Sequence, residues 1–157
     1  MSHVLIVYFS ASGVTARVAE TLADALAADL FEIRPVQPYT SADLDWRDRN
    51  SRSTLEMQDR ACRPAMAQTP DLSGYDTVFV GFPVWWYREP SIIDTFMESA
   101  DFTGKTVIPF ATSGGSGLGD TAANLRALAP GAAVKEGRVL SARATAAELS
   151  AWAASQY

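Results

Sequence analysis

The sequence contains few of the residues that build disulfides, metal sites or acid–base catalytic sites. Cys62 is the only cysteine, so no disulfide can form within the chain and no cysteine cluster can hold zinc or an iron–sulfur cluster. His3 is the only histidine, and it precedes the first predicted strand, opposite the edge where open α/β sheets place their active sites. We therefore predict no catalytic side chain and no metal site, and we expect any chemistry to come from a bound cofactor.

A basic surface is missing as well. The chain has 13 Lys and Arg against 18 Asp and Glu, a net charge of -5. This balance argues against a nucleic-acid partner, which requires basic residues to neutralise phosphates, and gives no support for binding to anionic membranes. No apolar run is long enough to span a bilayer, and the N-terminal residues do not resemble a signal peptide. We expect a cytoplasmic protein.

The length of 157 residues, with 48% hydrophobic and 20% charged residues, is ordinary for one soluble globular domain. Strand and helix patterns alternate along it, and this alternation predicts an α/β fold. The predicted architecture is a doubly wound, five-stranded parallel sheet in the order 2-1-3-4-5, with helices on both faces. The predicted strands are 4–9, 30–36, 78–82 and 106–111, with a fifth lying within 133–140. The predicted helices are 14–29, 90–100, 120–128 and 145 to the C-terminus.

The loop after the first strand combines hydroxyl side chains with a glycine at the start of a helix. Backbone N–H groups at a helix N-terminus lack intrahelical partners, and together with the helix dipole they favour a phosphate group. Ordinary helix capping would explain the same residue types equally well. The candidate phosphate-binding residues are Ser10, Ser12, Gly13, Val14 and Thr15.

The loop after the third strand contains three consecutive aromatic residues, which cannot all point into the core. At least one should offer an exposed flat face on which a planar ring can stack. The alternatives are an aromatic side chain folded back into the core, or a protein interface. The candidate ring-binding residues are Pro83, Val84, Trp85, Trp86 and Tyr87.

The loop after the fourth strand is rich in glycine and serine. It supplies backbone donors with little bulk and so suits the edge of a heteroaromatic ring, although such loops are usually only flexible connections. The candidates here are Thr112, Ser113, Gly114 and Gly115. Three such loops at one edge of a sheet are stronger evidence together than any one of them.

The residues between about 37 and 73 are too many for a simple connection. Arginines and acidic residues are mixed there, which is typical of a solvated helix with mixed charges. They include Arg47, Arg49, Arg52, Arg60 and Arg63 beside Asp43, Asp45, Asp48, Glu56 and Asp59. The alternative is a lid or partner surface, in which the arginines meet an anionic dinucleotide and Tyr39 and Trp46 are the aromatic contacts.

Taken together, these motifs resemble the flavodoxin family over nearly the whole chain. The first loop is similar to the family's Ser/Thr-x-Ser/Thr-Gly-x-Thr phosphate loop, and the segments 81–86 and 110–117 look like those of a bacterial branch. The resemblance implies a flavodoxin-like sheet, noncovalently bound FMN and flavin redox activity. The third loop departs from the acidic, tyrosine-bearing pattern of the electron-carrier flavodoxins, and its small residues leave one face of a flavin open.

Three functions remain open at this point. The first is an electron carrier that exchanges electrons with a protein partner. The second is an FMN-dependent NAD(P)H oxidoreductase that reduces quinones or similar acceptors. The third is a non-catalytic binding module on the same fold. The resemblance is compatible with either a monomer or a homodimer.

Overall fold

A parallel sheet runs through the middle of the computed structural model, which describes residues 3–156. The strands pair in the order β2-β1-β3-β4-β5, with β6 pairing to β4 in line with β5. This arrangement confirms the predicted order 2-1-3-4-5. The strands are β1 (Val4–Tyr8), β2 (Asp29–Glu32), β3 (Thr77–Pro83), β4 (Thr106–Thr112), β5 (Ala133–Val134) and β6 (Arg138–Val139).

Helices cover both faces of the sheet, because alternate residues of its central strands face opposite apolar clusters. Ile6 and Phe79 pack on one face with α1 and α5, whereas Leu5 and Val78 pack on the other with α3. None of the helices within residues 3–156 has the length and hydropathy that crossing a membrane requires. The helices are α1 (Val14–Leu26), α2 (Arg52–Gln58), α3 (Ser91–Glu98), α4 (Thr121–Leu128) and α5 (Ala146–Ala154).

Two predicted elements end earlier than expected. Helix α1 stops before Ala27, whose φ of 51° is left-handed and whose N–H caps the carbonyls of the last turn. The predicted strand 30–36 ends at Glu32, and the following residues pair instead with the chain returning from α2. There the N–H of Val36 donates to Ala65 O at 2.9 Å, and the N–H of Ala67 donates to Arg34 O at 2.8 Å.

The predicted fifth strand, 133–140, is split into β5 and β6 by a bulge. The N–H of Lys135 donates to Val107 O, and the N–H of Leu140 donates to Ala111 O. The edge strand therefore advances five residues, from 135 to 140, where β4 advances four, from 107 to 111, and one extra residue is accommodated in the edge strand. Pro109 lies at this point of β4 and has no N–H for the neighbouring strand. Gly137 fills the bulge with a φ of 76°, and a Cβ there would lie 2.1 Å from Pro109 O.

The final helix begins as the local pattern predicts. The Thr145 side chain accepts from the N–H of Glu148, and the Glu148 carboxylate accepts from the N–H of Thr145, which forms a capping box. Helix α5 ends at Ala154, and Tyr157, to which the prediction extended, lies outside the described residues.

We expect Gly81→Ala to lower the free energy of unfolding by about 1–3 kcal/mol, as overpacking of a core does. A Cβ at Gly81 would lie 2.2 Å from the ring of Phe110, which is fully buried and packs against Trp152. Urea unfolding measures the change. Gly74→Ala is the matched control, because no atom lies within 4 Å of its Cβ position. Equal stability of the two variants would contradict this packing.

Candidate functional site

A cleft of about 480 Å3 opens at the carboxyl edge of the sheet. Because β1, β3 and β4 are neighbours and run in parallel, the loops that follow them begin side by side. The cleft lies among these three loops and the segment after β6. Its lining residues are Ser12, Val14, Pro83, Val84, Trp85, Thr112, Ser113, Gly114, Val139, Leu140, Ser141 and Ala142.

The first loop is closed by its own hydroxyl group. Ser10 Oγ accepts from the N–H of Gly13 at 3.1 Å and from that of Ala16 at 3.2 Å. Gly13 is the N-cap of α1 with a φ of 93°, a conformation that glycine adopts without strain. Helix α1 starts at Val14, which lines the cleft, so the positive end of its dipole lies there.

A buried hydroxyl pair joins the first loop to the third. Thr15 Oγ1 and Thr112 Oγ1 lie 2.7 Å apart, and both residues are buried. Either hydroxyl can be the donor of this bond, so the contact holds the two loops together while the phosphate role of Thr15 remains a prediction. Ser12 is the hydroxyl of the first loop that lines the cleft.

The second loop is a tight hairpin with aromatic residues at its tip. The N–H of Trp85 donates to Arg88 O at 3.1 Å, and the N–H of Arg88 donates to Trp85 O at 3.2 Å. Trp86 and Tyr87 between them have φ values of 49° and 65°, as in the type I′ turns that suit two-residue hairpins. Neither residue is glycine, so the surrounding structure must hold this turn.

The three aromatic residues of the hairpin have different environments. The Trp85 ring lies edge-on to the rings of Phe9 and Tyr39, with centroids 5.7 and 5.4 Å apart, and lines the cleft. Trp86 is 38% exposed and Tyr87 is 70% exposed, and neither lines the cleft. Of the three aromatic residues of the hairpin, Trp85 is therefore the one that forms part of the cleft wall.

The third loop packs against the hairpin through its backbone. The N–H of Val84 donates to Thr112 O at 2.9 Å, which extends the β3–β4 pairing. Gly119, with a φ of 55°, lies against the hairpin tip, where a Cβ would be 2.1 Å from Tyr87 O. Ser113 Oγ accepts from the N–H of Gly115 at 3.1 Å. These contacts hold the loop in place despite its glycines.

The structure brings eight of the fourteen candidate residues together around the cleft. These are Ser12, Val14, Pro83, Val84, Trp85, Thr112, Ser113 and Gly114. The remaining candidates, Ser10, Gly13, Thr15, Trp86, Tyr87 and Gly115, are not among the lining residues. Their proposed contacts with a ligand remain predictions.

Sequence reasoning missed the fourth wall of the cleft, residues 139–142. These residues end β6 and continue beyond it, so their place at this edge could have been inferred from the predicted strand 133–140. Their side chains are small or apolar apart from the Ser141 hydroxyl, and nothing in their type indicated a binding role.

A network of buried charges supports the base of the hairpin. Arg88 Nη1 lies 3.4 Å from both Glu89 Oε2 and Asp94 Oδ2, and Asn124 Nδ2 donates to Glu89 Oε1 at 2.9 Å. Burial raises the pKa of Asp94 to about 8, and Glu89 acts in the same direction through a hydrogen bond and its charge, against the lowering effect of Arg88. The Asp94 carboxyl is therefore protonated more easily than an ordinary aspartate.

The 37–73 segment uses most of its arginines in contacts within the chain. The Arg52 guanidinium lies 3.8 Å from the centre of the Tyr39 ring, and its Nε donates to Glu56 at 3.0 Å. Arg60 donates to Asn124, and Arg63 pairs with Glu98. These contacts tie the segment to α3 and α4.

The cysteine and the acidic residues offer no further reactive centre. Burial, with help from the charge of Glu56, raises the pKa of the Cys62 thiol, which disfavours the nucleophilic thiolate. Within residues 3–156, no group of His, Cys, Asp and Glu is arranged to hold a metal ion.

Comparisons with known proteins agree with this geometry. The family model for flavodoxin matches residues 3–156. A flavoprotein candidate from Bacteroides eggerthii is 48% identical, with 99% of this chain and 98% of that chain covered and a TM-score of 0.93. A second, from Bacteroides uniformis, is 45% identical, with 98% of each chain covered and a TM-score of 0.91.

A more distant structure shares the fold. A flavoprotein from Lactobacillus acidophilus, solved in complex with FMN, is 23% identical, with 88% of this chain and 92% of that chain covered and a TM-score of 0.65. A comparison with curated protein sequences found no match.

We expect the buried carboxyl of Asp94 to make the stability of the protein depend on pH. Its pKa is raised from 3.8 to about 8 on folding, so the folded state keeps a proton that the unfolded chain releases. The stabilisation is complete below pH 4 and is lost as pH rises through 8. Asp94→Asn should flatten the fall in the free energy of unfolding between these values, as measured by urea unfolding at several pH values. Parallel curves for the two proteins would show that the raised pKa is wrong.

Proposed function

The chain belongs to the flavodoxin family, and we propose that it transfers electrons through one noncovalently bound FMN held in the cleft at the carboxyl edge of the sheet. The observation that carries this proposal is the composition of the cleft wall. None of its twelve lining residues has an ionisable side chain. A protein that delivers no proton must rely on its cofactor for chemistry, and electron transfer needs nothing more from the wall than binding and orientation.

The residues of the cleft fit the parts of FMN. The N-terminus of α1, with Ser12 and Val14 at the cleft, suits the phosphate because backbone N–H groups and the helix dipole favour an anion without a lysine or arginine. Trp85 with Pro83 and Val84 supplies an apolar wall for the ring, and residues 112–114 supply small groups for its edge. FMN supplies reversible acceptance and release of electrons when bound.

The surface charge supports a protein partner for this transfer. The chain carries a net charge of -5, and complementary charge steers the encounter of redox partners. A partner with a basic docking face would therefore associate fastest, and added salt would slow that association.

An NAD(P)H oxidoreductase is the second candidate, favoured by one specific observation. The third loop carries no aromatic side chain between Thr112 and Gly119, so it offers small residues where an aromatic cover would block access to one ring face. A small acceptor such as a quinone could then approach the flavin directly.

The two functions are separated by an anaerobic absorption spectrum of the FMN-loaded protein. For the electron carrier, we expect that NADPH and NADH leave the flavin oxidised and that dithionite bleaches it. Rapid bleaching by either nucleotide would instead establish the oxidoreductase, and quinones would then be screened as acceptors. A protein that retains no flavin under any condition would refute both and leave a binding module.

We expect the joint replacement of Trp85 and Trp86 by alanine to weaken FMN affinity by about tenfold, the scale of one aromatic contact. Trp85→Ala alone should account for most of this loss, because Trp85 lines the cleft and Trp86 does not. Trp86→Ala is the matched control. Fluorescence titration of FMN measures the dissociation constants, and near-ultraviolet circular dichroism checks that each variant is folded. Unchanged affinity in the double variant would remove the stacking role.

A further inference from the structure

One wall of the proposed FMN cleft is in contact with a residue that does not itself line the cleft. The structure describes all residues from 37 to 73, and none of them is among the lining residues. Tyr39 of this segment nevertheless packs against Trp85, with ring centroids 5.4 Å apart. We propose that Tyr39 is a positioning residue, which holds the Trp85 ring in place as the wall against which FMN binds. This inference rests on the proposed function.

The Trp85 ring needs support because open space lies on more than one side of it. Trp85 lines the proposed FMN cleft and also a second cleft, of about 410 Å3, which it shares with Leu44 and Trp46. Hydrogen bonds with Arg88 fix the backbone of Trp85, but a fixed backbone still leaves several side-chain rotamers open. Neighbouring side chains must therefore decide where the ring lies.

Two aromatic rings form a corner that fixes the plane of the Trp85 ring. The Phe9 ring meets it at 89° with centroids 5.7 Å apart, and the Tyr39 ring meets it at 76°. The rings of Phe9 and Tyr39 in turn lie 5.6 Å apart, so each of the three contacts the other two. Edge-to-face contacts are directional, because the positive edge of one ring faces the negative face of another. Rotation of the Trp85 ring would break both of its contacts.

Tyr39 differs from Phe9 in what holds it. Phe9 is buried at the end of β1, whereas Tyr39 belongs to a connecting segment and is half-buried. The Arg52 guanidinium lies 3.8 Å from the centre of the Tyr39 ring, and the Tyr39 hydroxyl donates to Glu56. Arg52 Nε also donates to Glu56 at 3.0 Å. The phenol, the guanidinium and the carboxylate therefore hold one another.

The phenol of Tyr39 keeps the proton that this arrangement requires. Burial raises the pKa of Tyr39, and Glu56 raises it further through the hydrogen bond and its charge, against the lowering effect of Arg52. The hydroxyl therefore remains a donor to Glu56 throughout the neutral range.

Helix α2, which carries both partners of Tyr39, is fastened to the residues that follow the hairpin. Ser91 Oγ donates to Glu56 O at 3.3 Å, and Arg88 Nη2 donates to Met57 O at 3.5 Å. The backbone of Arg88 also closes the hairpin. The support of Tyr39 and the backbone of the hairpin therefore share one buried frame, which keeps their two rings together.

The first test is a double-mutant cycle in which fluorescence titration measures the dissociation constant of FMN. We expect Tyr39→Leu to weaken FMN affinity by about fivefold, the scale of one aromatic pair. In the Trp85→Ala background the same replacement should have no effect, because Tyr39 acts through Trp85. A general loosening of the site would instead lower the affinity equally in both backgrounds.

Two further variants separate the ring of Tyr39 from other causes. Tyr39→Phe keeps the ring and its contact with Arg52, so it should restore most of the affinity that Tyr39→Leu loses. Tyr75→Leu is the matched control, because Tyr75 is another half-buried tyrosine whose hydroxyl donates to a carboxylate, that of Asp29 at 2.6 Å. Asp29 begins β2 at the opposite edge of the sheet. This variant should keep full FMN affinity.

A second measurement needs no flavin. The near-ultraviolet circular dichroism of Trp85 is the difference between flavin-free proteins with and without the Trp85→Ala replacement. We expect Tyr39→Leu to remove most of this signal, because the signal requires a ring fixed by tertiary packing. Arg52→Met withdraws the support of the Tyr39 ring. It should change both readouts in the same direction, which keeps the proposal testable if Tyr39→Leu fails to fold.

Several outcomes would overturn the proposal. They are full FMN affinity in Tyr39→Leu, an equal loss of affinity in the Trp85→Ala background, an unchanged Trp85 signal, or, if Tyr39→Leu does not fold, no effect of Arg52→Met on either readout. A wild-type protein that retains no FMN would refute the proposed function instead. The flavin-free measurement would then still decide whether Tyr39 holds the Trp85 ring.

Discussion

Parallel pairing of β1, β3 and β4 is the constraint on which the functional edge of this molecule depends. The three strands are buried on both faces, and their register aligns Tyr8 with Gly81 and Pro83 with Thr112. Because the strands end close to one another, the loops that follow them must share one edge. Two bonds then join those loops directly, between Thr15 and Thr112 and between Val84 and Thr112. The cleft is a consequence of sheet register as much as of loop sequence.

The register also explains why a glycine occupies the middle of a buried strand. Gly81 gives up side-chain packing, but the ring of Phe110 fills the space that its Cβ would occupy. Phe110 in turn packs with Trp152 of α5. The glycine thus brings a central strand and a peripheral helix into one apolar cluster beneath the cleft.

A rigid hairpin requires support that the hairpin itself cannot supply. Two consecutive non-glycine residues with positive φ are unfavourable, and a buried ion pair is costly to desolvate. The structure combines the two features, since Arg88 and Glu89 follow the strained turn directly and bind α3 and Asn124. The network holds the hairpin that forms one wall of the cleft at the carboxyl edge of the sheet. Its own members, Arg88, Glu89, Asp94 and Asn124, do not line that cleft.

Local patterns in the sequence determined the elements whose causes are local. The capping box joins Thr145 and Glu148, which lie within four residues of each other. The alternation of strands and helices is typical of doubly wound sheets, and this architecture predicted both the strand order and the edge that carries the loops. The three loops were recognisable because hydroxyl, aromatic and glycine residues differ in chemistry from the core around them. The family resemblance rested on the same residues, and the family match over 3–156 agrees with it.

Tertiary structure alone decided features that depend on residues far apart in the chain. The split of the fifth strand follows from Pro109 on its neighbour. Residues 139–142 line the cleft with small and apolar side chains, whose types gave no indication of a binding role even though the predicted strand placed them at this edge. Likewise, only packing against Phe9 and Tyr39 separates Trp85 from Trp86, which are identical in type and adjacent in sequence. Periodicity reports which face of an element is buried. It cannot report which distant side chain meets it there, because that contact depends on the register and approach of another element.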